Sequence, residues 1–132
     1  MNGPEARTTV ARLLDEAQAG LERLQPAAAL EAQRQGAALI DIRSEPQRAR
    51  DGLLPGATTI ARNVLEWRLD PACPHRDPEL ARSDRKVILI CDEGYQSSLA
   101  AATLRRFGID ATDVVGGAQA WRAAGLPVER AG

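Results

Sequence analysis

Val87-Ile88-Leu89-Ile90 leads directly into Cys91-Asp92-Glu93-Gly94-Tyr95-Gln96-Ser97-Ser98 and then into an alanine- and leucine-rich run from Leu99 to Phe107. Four apolar residues bounded by polar ones read as a buried strand, and Ser97 or Ser98 ahead of the helical run reads as a helix start. A cysteine therefore stands where a central strand hands over to a helix. In α/β proteins that junction gathers groups from several strand ends and offers the free N–H donors of a helix N-terminus. Cys91 is the candidate nucleophile.

Upstream, Ala38-Leu39-Ile40-Asp41-Ile42 is a second buried strand, ending in Arg43 and Ser44. A buried aspartate needs a partner. Arg43, two residues on, shares its side of the strand, and a backbone N–H would serve equally. Thr58-Thr59-Ile60 and Asp113-Val114-Val115 are two more short strands, the first after the Pro55-Gly56 turn. Behind a Thr8 or Thr9 cap, Val10, Leu13, Leu14, Ala17 and Leu21 fall at helical spacing, with the helix ending near Gly20. Pro26 opens a helix that stops at Gly36, Glu45 to Arg50 is a charged turn or short helix, and Arg62 to Leu69 is a short helical segment. Asp70 to Asp84, with Pro71, Pro74 and Pro78, is mostly loop, with one helical turn around Pro78 to Ala81. Gly108 closes the helix after Cys91, and a last one runs from Gly116-Gly117 through Trp121 to Gly125-Leu126-Pro127, after which Val128 adds an edge pairing.

Strands alternating with helices predict a three-layer αβα fold around a mostly parallel sheet. Residues 1–23 form a tail (Met1 to Arg7) and an added N-terminal helix, and 24–132 form one domain. Right-handed crossovers place Asp41-Arg43, Ala61-Arg62, Cys91-Gln96 and Gly116-Gly117 along one carboxyl edge.

Composition narrows the partners. With 132 residues, 44% of them apolar and 27% charged, the chain reads as one ordinary globular domain. A net charge of -1 supplies no field for nucleic acid or an anionic membrane. No apolar run approaches the roughly 20 residues of a bilayer span, and Glu5 and Asp15 sit where a secretory segment would be apolar, so a cytoplasmic protein without membrane or nucleic-acid partners is expected. Cys73 and Cys91 are too few for a disulfide scaffold, and a lone His75 without a Cys-x-x-Cys pair argues against a metal site. Cys73, in the proline-rich loop, reads as a surface thiol; a resolving role needs its Cα within about 7 Å of that of Cys91.

A thiol with a pKa of about 8.5 is only slightly ionised at neutral pH, so a reactive cysteine needs help. The loop Asp92, Glu93, Gly94, Tyr95, Gln96, Ser97 is long enough to curl its N–H groups inward as an anion nest, and Gly94 permits the backbone this requires. Tyr95 and Gln96 sit where side chains shape the entrance. Asp41 and Arg43 are supporting residues that pin the sheet edge to a neighbouring loop, and Arg62 is a third.

These stretches resemble the rhodanese family of sulfurtransferases over roughly Leu24 to Val128. Leu39 to Arg43 is similar to the family's leading strand motif, and Gly52-Leu53-Leu54-Pro55-Gly56-Ala57 to its turn before the second strand. Cys91 to Ser97 has the family's loop length with glycine in its fourth place. Gly116-Gly117, Trp121 and Gly125 to Val128 resemble its closing signature. The resemblance implies a rhodanese-like fold and a sulfur transfer in which the Cys91 thiolate takes the outer sulfur of a small donor, thiosulfate or a persulfide. It then passes that sulfur to a thiol, cyanide or a protein acceptor. The loop N–H groups would stabilise the negative sulfur, and no cofactor is implied.

Asp92 and Glu93 depart from the basic loops of thiosulfate users, since no basic residue follows Cys91 before Arg105. Carboxylates turned inward would raise the sulfur pKa and repel a dianionic donor; Arg43 and Arg62, and less directly Arg68, would offset them. Two alternatives stand beside the sulfurtransferase: a non-catalytic rhodanese-like interaction module, and a cysteine phosphatase or arsenate reductase. The latter requires an arginine where this chain has Ser97.

Overall fold

A computed structural model describes residues 7–130, so the expected tail lies, apart from Arg7, outside the described residues. Thr9 accepts the Arg12 N–H and caps α1 (Val10–Ala19). The first-turn proline opens α2 (Pro26–Arg34), which leads into β1 (Ala38–Asp41). Ser44 and Gln47 form a reciprocal capping box at the start of α3 (Glu45–Asp51), resolving the charged turn as a helix. After β2 (Thr58–Thr59), a 3-10 turn at Arg62–Val64 runs into α4 (Leu65–Leu69). Then come β3 (Val87–Ile90), α5 (Gln96–Arg105), β4 (Ala111–Asp113) and α6 (Gly117–Ala123).

The four strands form one parallel sheet in the order β2-β1-β3-β4, with Asp41 of β1 opposite Ile90 of β3. The chain has the expected α/β fold. Successive residues of β3 face opposite layers, which is why the strand is apolar throughout. Val87, Leu89 and then Cys91 join Leu65 and Leu69 of α4 and Ala100, Ala101 and Leu104 of α5 in one buried cluster. Ile88 and Ile90 join Ala29 of α2 and Ala118 and Trp121 of α6 in the other. At about 1.5–3 kcal/mol for each large side chain buried, this two-sided packing fixes the end of β3, and Cys91 with it.

Four boundaries differ from the sequence reading. The last strand is Ala111–Asp113, two residues early, because buried Thr112 donates its hydroxyl to the Glu22 carbonyl at 2.9 Å and Asp113 has partners of its own. Helix α5 starts at Gln96 with Tyr95 as an uncapped N-cap; the Ser97 and Ser98 hydroxyls donate elsewhere, to Asp113 and to the Tyr95 carbonyl. The C-terminal pairing is made by Glu129, antiparallel to Leu53, and not by Val128. Residues 78–80 form a turn only. The added helix α1 buries none of its own residues fully; it lies along α5, where Gln18 Nε2 donates to Ser98 Oγ at 3.1 Å.

Candidate active site

Cys91 is 6% exposed and lies on the floor of a cleft of about 880 Å³. Its thiol donates to Ser97 Oγ at 3.2 Å, and its sulfur accepts the backbone N–H groups of Gly94 at 3.2 Å and Ser97 at 3.4 Å. The N–H groups of Asp92, Glu93, Tyr95 and Gln96 have no hydrogen-bond partner among the described residues, which leaves them for a ligand or solvent. Gly94 has φ +89, and a Cβ there would stand 2.6 Å from Gly116 N. Close approach and left-handed backbone together require glycine. The other side of the loop is tied down as well: the Cys91 and Asp92 carbonyls accept the N–H groups of Ala118 and Gln119 at 2.8 and 3.1 Å. Gly117 makes this approach possible, since a Cβ on it would lie 2.5 Å from the Cys91 carbonyl oxygen.

Beneath the sulfur runs a polar chain. Ser97 Oγ donates to Asp113 Oδ2 at 2.7 Å, and Asp113 is fully buried. Arg23 forks onto that carboxylate, Nε to Oδ1 at 2.9 Å and Nη2 to Oδ2 at 3.1 Å, while Nη2 also donates to the Gly94 carbonyl at 2.6 Å. The sequence reading did not single out Arg23 or Asp113. An aspartate adjoining the apolar pair Val114-Val115 was the available signal for one of them, weaker than the unbroken apolar run around Asp41.

The cleft walls contain Arg43, Arg48, Arg62, Asp92, Glu93, Tyr95 and Gln96, so three of the four strand ends expected at one edge meet there, while Gly116 and Gly117 do not line the cleft and approach the loop at Gly94 and Cys91 instead. Arg43 is 2% exposed and donates through Nη2 to Asp41 at 2.7 Å and to the Gly52 carbonyl at 2.9 Å, tying the strand edge to the residue after α3. Its Nη1 is buried without a partner among the described residues. Arg48 donates to the Arg43 carbonyl, and Arg62 is paired with Glu66 at 2.7 Å. Arg68 is absent from the cleft wall and donates to the His75 carbonyl.

The two loop carboxylates differ. Asp92 Oδ1 accepts from Gln119 Nε2 at 2.8 Å and from Arg50 Nη2 at 3.3 Å, so it is engaged by α6 and α3. Glu93 stays exposed at the rim. Gln119 Nε2 also donates to Asp51 at 2.9 Å, and Arg50 and Arg122 flank that carboxylate at 2.6 and 3.3 Å. The hydrogen bond from Arg50 is the main reason that the Asp51 carboxyl is held down at about 2. Cys73 is a half-buried free thiol, and His75 is exposed. Among the described residues, no group of three or more His, Cys, Asp or Glu is placed to hold a metal ion, and no helix is long and apolar enough to cross a membrane.

A parallel α/β sheet that delivers one cysteine into a glycine-bearing, donor-lined loop ahead of a helix defines a class of small cysteine-centred α/β domains. Within that class, the chain belongs to the rhodanese-like domain family, which matches residues 25–124. It is similar to a protein of unknown function, possible tyrosine phosphatase, from Rhodopseudomonas palustris CGA009, at 34% identity over 98% of this chain and 99% of that one, TM-score 0.85. A rhodanese-like domain protein from Staphylococcus aureus, at 21% identity over 83% and 99% of the two chains with TM-score 0.64, shares the fold. So does thiosulfate sulfurtransferase from Pseudomonas aeruginosa, at 23% identity over 83% of this chain and 19% of that one, TM-score 0.66. No curated protein matches the sequence.

Proposed function

We propose that this protein is a sulfurtransferase that carries sulfur on Cys91, with residues 24–132 as the working domain and 1–23 as an added segment. The observation that carries the reading is the seat of the sulfur: a cysteine at a cleft floor, with Gly94 and Ser97 N–H groups on Sγ and further unpartnered N–H groups in the same loop. Such donors stabilise negative charge on a sulfur one bond further out.

In the first step the Cys91 thiolate attacks the outer sulfur of the donor. A new S–S bond forms, the donor's own bond to that sulfur breaks, and sulfite or a thiolate leaves with the electron pair. In the second step an acceptor thiolate or cyanide attacks the outer sulfur, and Cys91 leaves as thiolate. Asp92 to Ser97 form the cradle, Asp41 and Arg43 support the edge beside it, and Arg62 flanks the entrance. The cleft is larger than thiosulfate needs. With Asp92 engaged by Gln119 and Arg50, and Arg62 by Glu66, no strong net charge is directed at the sulfur. Both features favour a donor or acceptor with its sulfur on a larger body, such as a low-molecular-weight persulfide or a protein cysteine.

A cysteine phosphatase is the second reading, because the R. palustris protein carries that suggestion. Against it, position 97 holds a serine bonded to the buried Asp113, and residues 92–97 contain no arginine to grip a phosphate.

The test is single-turnover loading followed by intact mass, using thiosulfate, a mercaptopyruvate-type donor and glutathione persulfide. The expected result is a gain of one sulfur atom by the wild type and none by Cys91→Ser. A wild type left unmodified by all three donors, or a Cys91-dependent hydrolysis of a phosphotyrosine analogue, would overturn the proposal. Partner capture indifferent to Cys91→Ser, with no loading, would indicate an interaction module.

A further inference from the structure

Arg23 precedes the span matched by the family and belongs to a segment whose sequence suggests only packing. We infer that Arg23 is a positioning residue for Cys91, acting through two separate contacts, one on the loop that cradles the sulfur and one on the buried carboxylate at the end of β4. The inference rests on the reading above only in taking Cys91 as the reacting residue.

The first contact is with Gly94. This residue gives its N–H to Cys91 Sγ at 3.2 Å and its carbonyl to Arg23 Nη2 at 2.6 Å, so its backbone is clamped between the sulfur and the guanidinium. Its φ of +89 lies where glycine is free to move, and a side chain cannot enforce it. Holding the carbonyl also orients the next N–H, because in a trans peptide the two point in opposite directions. The Tyr95 N–H is therefore directed away from Arg23, and it has no partner among the described residues.

The second contact is with Asp113. Arg23 and Ser97 are the side chains bonded to this carboxylate, and both reach Oδ2. Arg23 therefore fixes the oxygen that fixes the Ser97 hydroxyl, which in turn lies 3.2 Å from Sγ. The planar fork presents Nε and Nη2 at fixed spacing to both carboxylate oxygens and to a separate carbonyl, whereas an ammonium has three donors on one nitrogen at the end of a flexible stem and does not reproduce that spacing.

The experiment compares Arg23→Lys and Arg23→Ala with Ile109→Val, a buried substitution in the turn leading into β4, at the sheet edge opposite Cys91. Iodoacetamide alkylation of Cys91 at neutral pH is measured in each, together with the ultraviolet absorbance of the thiolate and the thermal midpoint. Arg23→Lys keeps a positive charge beside Asp113 and is expected to fold, yet to alkylate roughly three- to tenfold more slowly, the loss associated with one ordinary hydrogen bond, since the ammonium keeps the charge but not the fork. Its thiolate absorbance is expected to fall, while Ile109→Val keeps wild-type reactivity whatever its midpoint. Wild-type alkylation and absorbance in Arg23→Lys would overturn the inference. So would slowing in both variants no greater than in Ile109→Val at equal stability. Alkylation needs no sulfur donor, so a protein that loads no sulfur but responds to Arg23→Lys loses the proposed function and keeps this inference.

Discussion

Arg23 and Asp113 meet in a forked ion pair at 2.9 and 3.1 Å across 90 positions of sequence, the carboxylate fully buried and the guanidinium 18% exposed. This pair joins the segment ahead of the matched family span to the strand end beneath Cys91.

Removing one partner of a buried pair strands the other charge. Arg23→Ala is expected to cost about 2–3 kcal/mol, below the ~3–5 kcal/mol of fully enclosed pairs because Arg23 keeps some contact with water. Urea denaturation of Arg23→Ala, Asp113→Asn and the double variant checks this. The double variant should be more stable than the sum of the single losses predicts, and strict additivity would show that the pair is not coupled.

Ser97→Ala removes the hydroxyl nearest the sulfur and leaves Asp113 to Arg23 alone. Sulfur loading in a single turnover should slow by roughly tenfold, less than the ~100-fold of a lost oxyanion-hole donor because the Gly94 and Ser97 N–H groups remain. Rapid-quench mass measurements decide it, and loading at the wild-type rate would remove the hydroxyl from the mechanism.

At Gly94→Ala two penalties combine, the left-handed backbone and a Cβ 2.6 Å from Gly116 N. A loss of at least about 2 kcal/mol is expected. Cys91 reactivity should fall in the same variant at temperatures where it is still folded. Retention of both would mean that the loop tolerates another path.

The Asp51 carboxyl, held at about 2 against an ordinary 3.8, gives a pH dependence with a defined sign. A depressed carboxyl pKa means that the unfolded chain binds the proton first, so the Asp51 contribution is complete above about pH 5 and is lost as pH falls through 2. Urea midpoints of wild type and Asp51→Asn should therefore differ at pH 6, draw together through about pH 3 and converge below about pH 2. A gap that persists undiminished in acid would assign the effect to shape and not to charge.

The strands were legible where burial on both faces left an unbroken apolar run, as in Val87–Ile90, and the helices where caps and prolines marked their ends, as at Thr9 and Pro26. The last strand was misplaced because its buried residues include Thr112 and Asp113, whose partners, Glu22 and Arg23, are distant in sequence. Local pattern carries no trace of such pairs. The partner of Asp41 could be read because it lies two residues away in Arg43; that of Asp113 could not. Ser97 resembled a helix cap for the same reason, since its actual acceptor belongs to another strand.

Ser97 has one hydroxyl hydrogen and two neighbours able to claim it. While Cys91 is a thiol there is no conflict: the sulfur's hydrogen points at Oγ, and the hydroxyl hydrogen at Asp113. Once the sulfur is an anion, it and the carboxylate compete for that single hydrogen. Turning it toward the sulfur leaves Asp113 to Arg23 alone, so charging the cleft floor re-addresses one atom, and the effect reaches a guanidinium whose other hydrogen bond holds the loop.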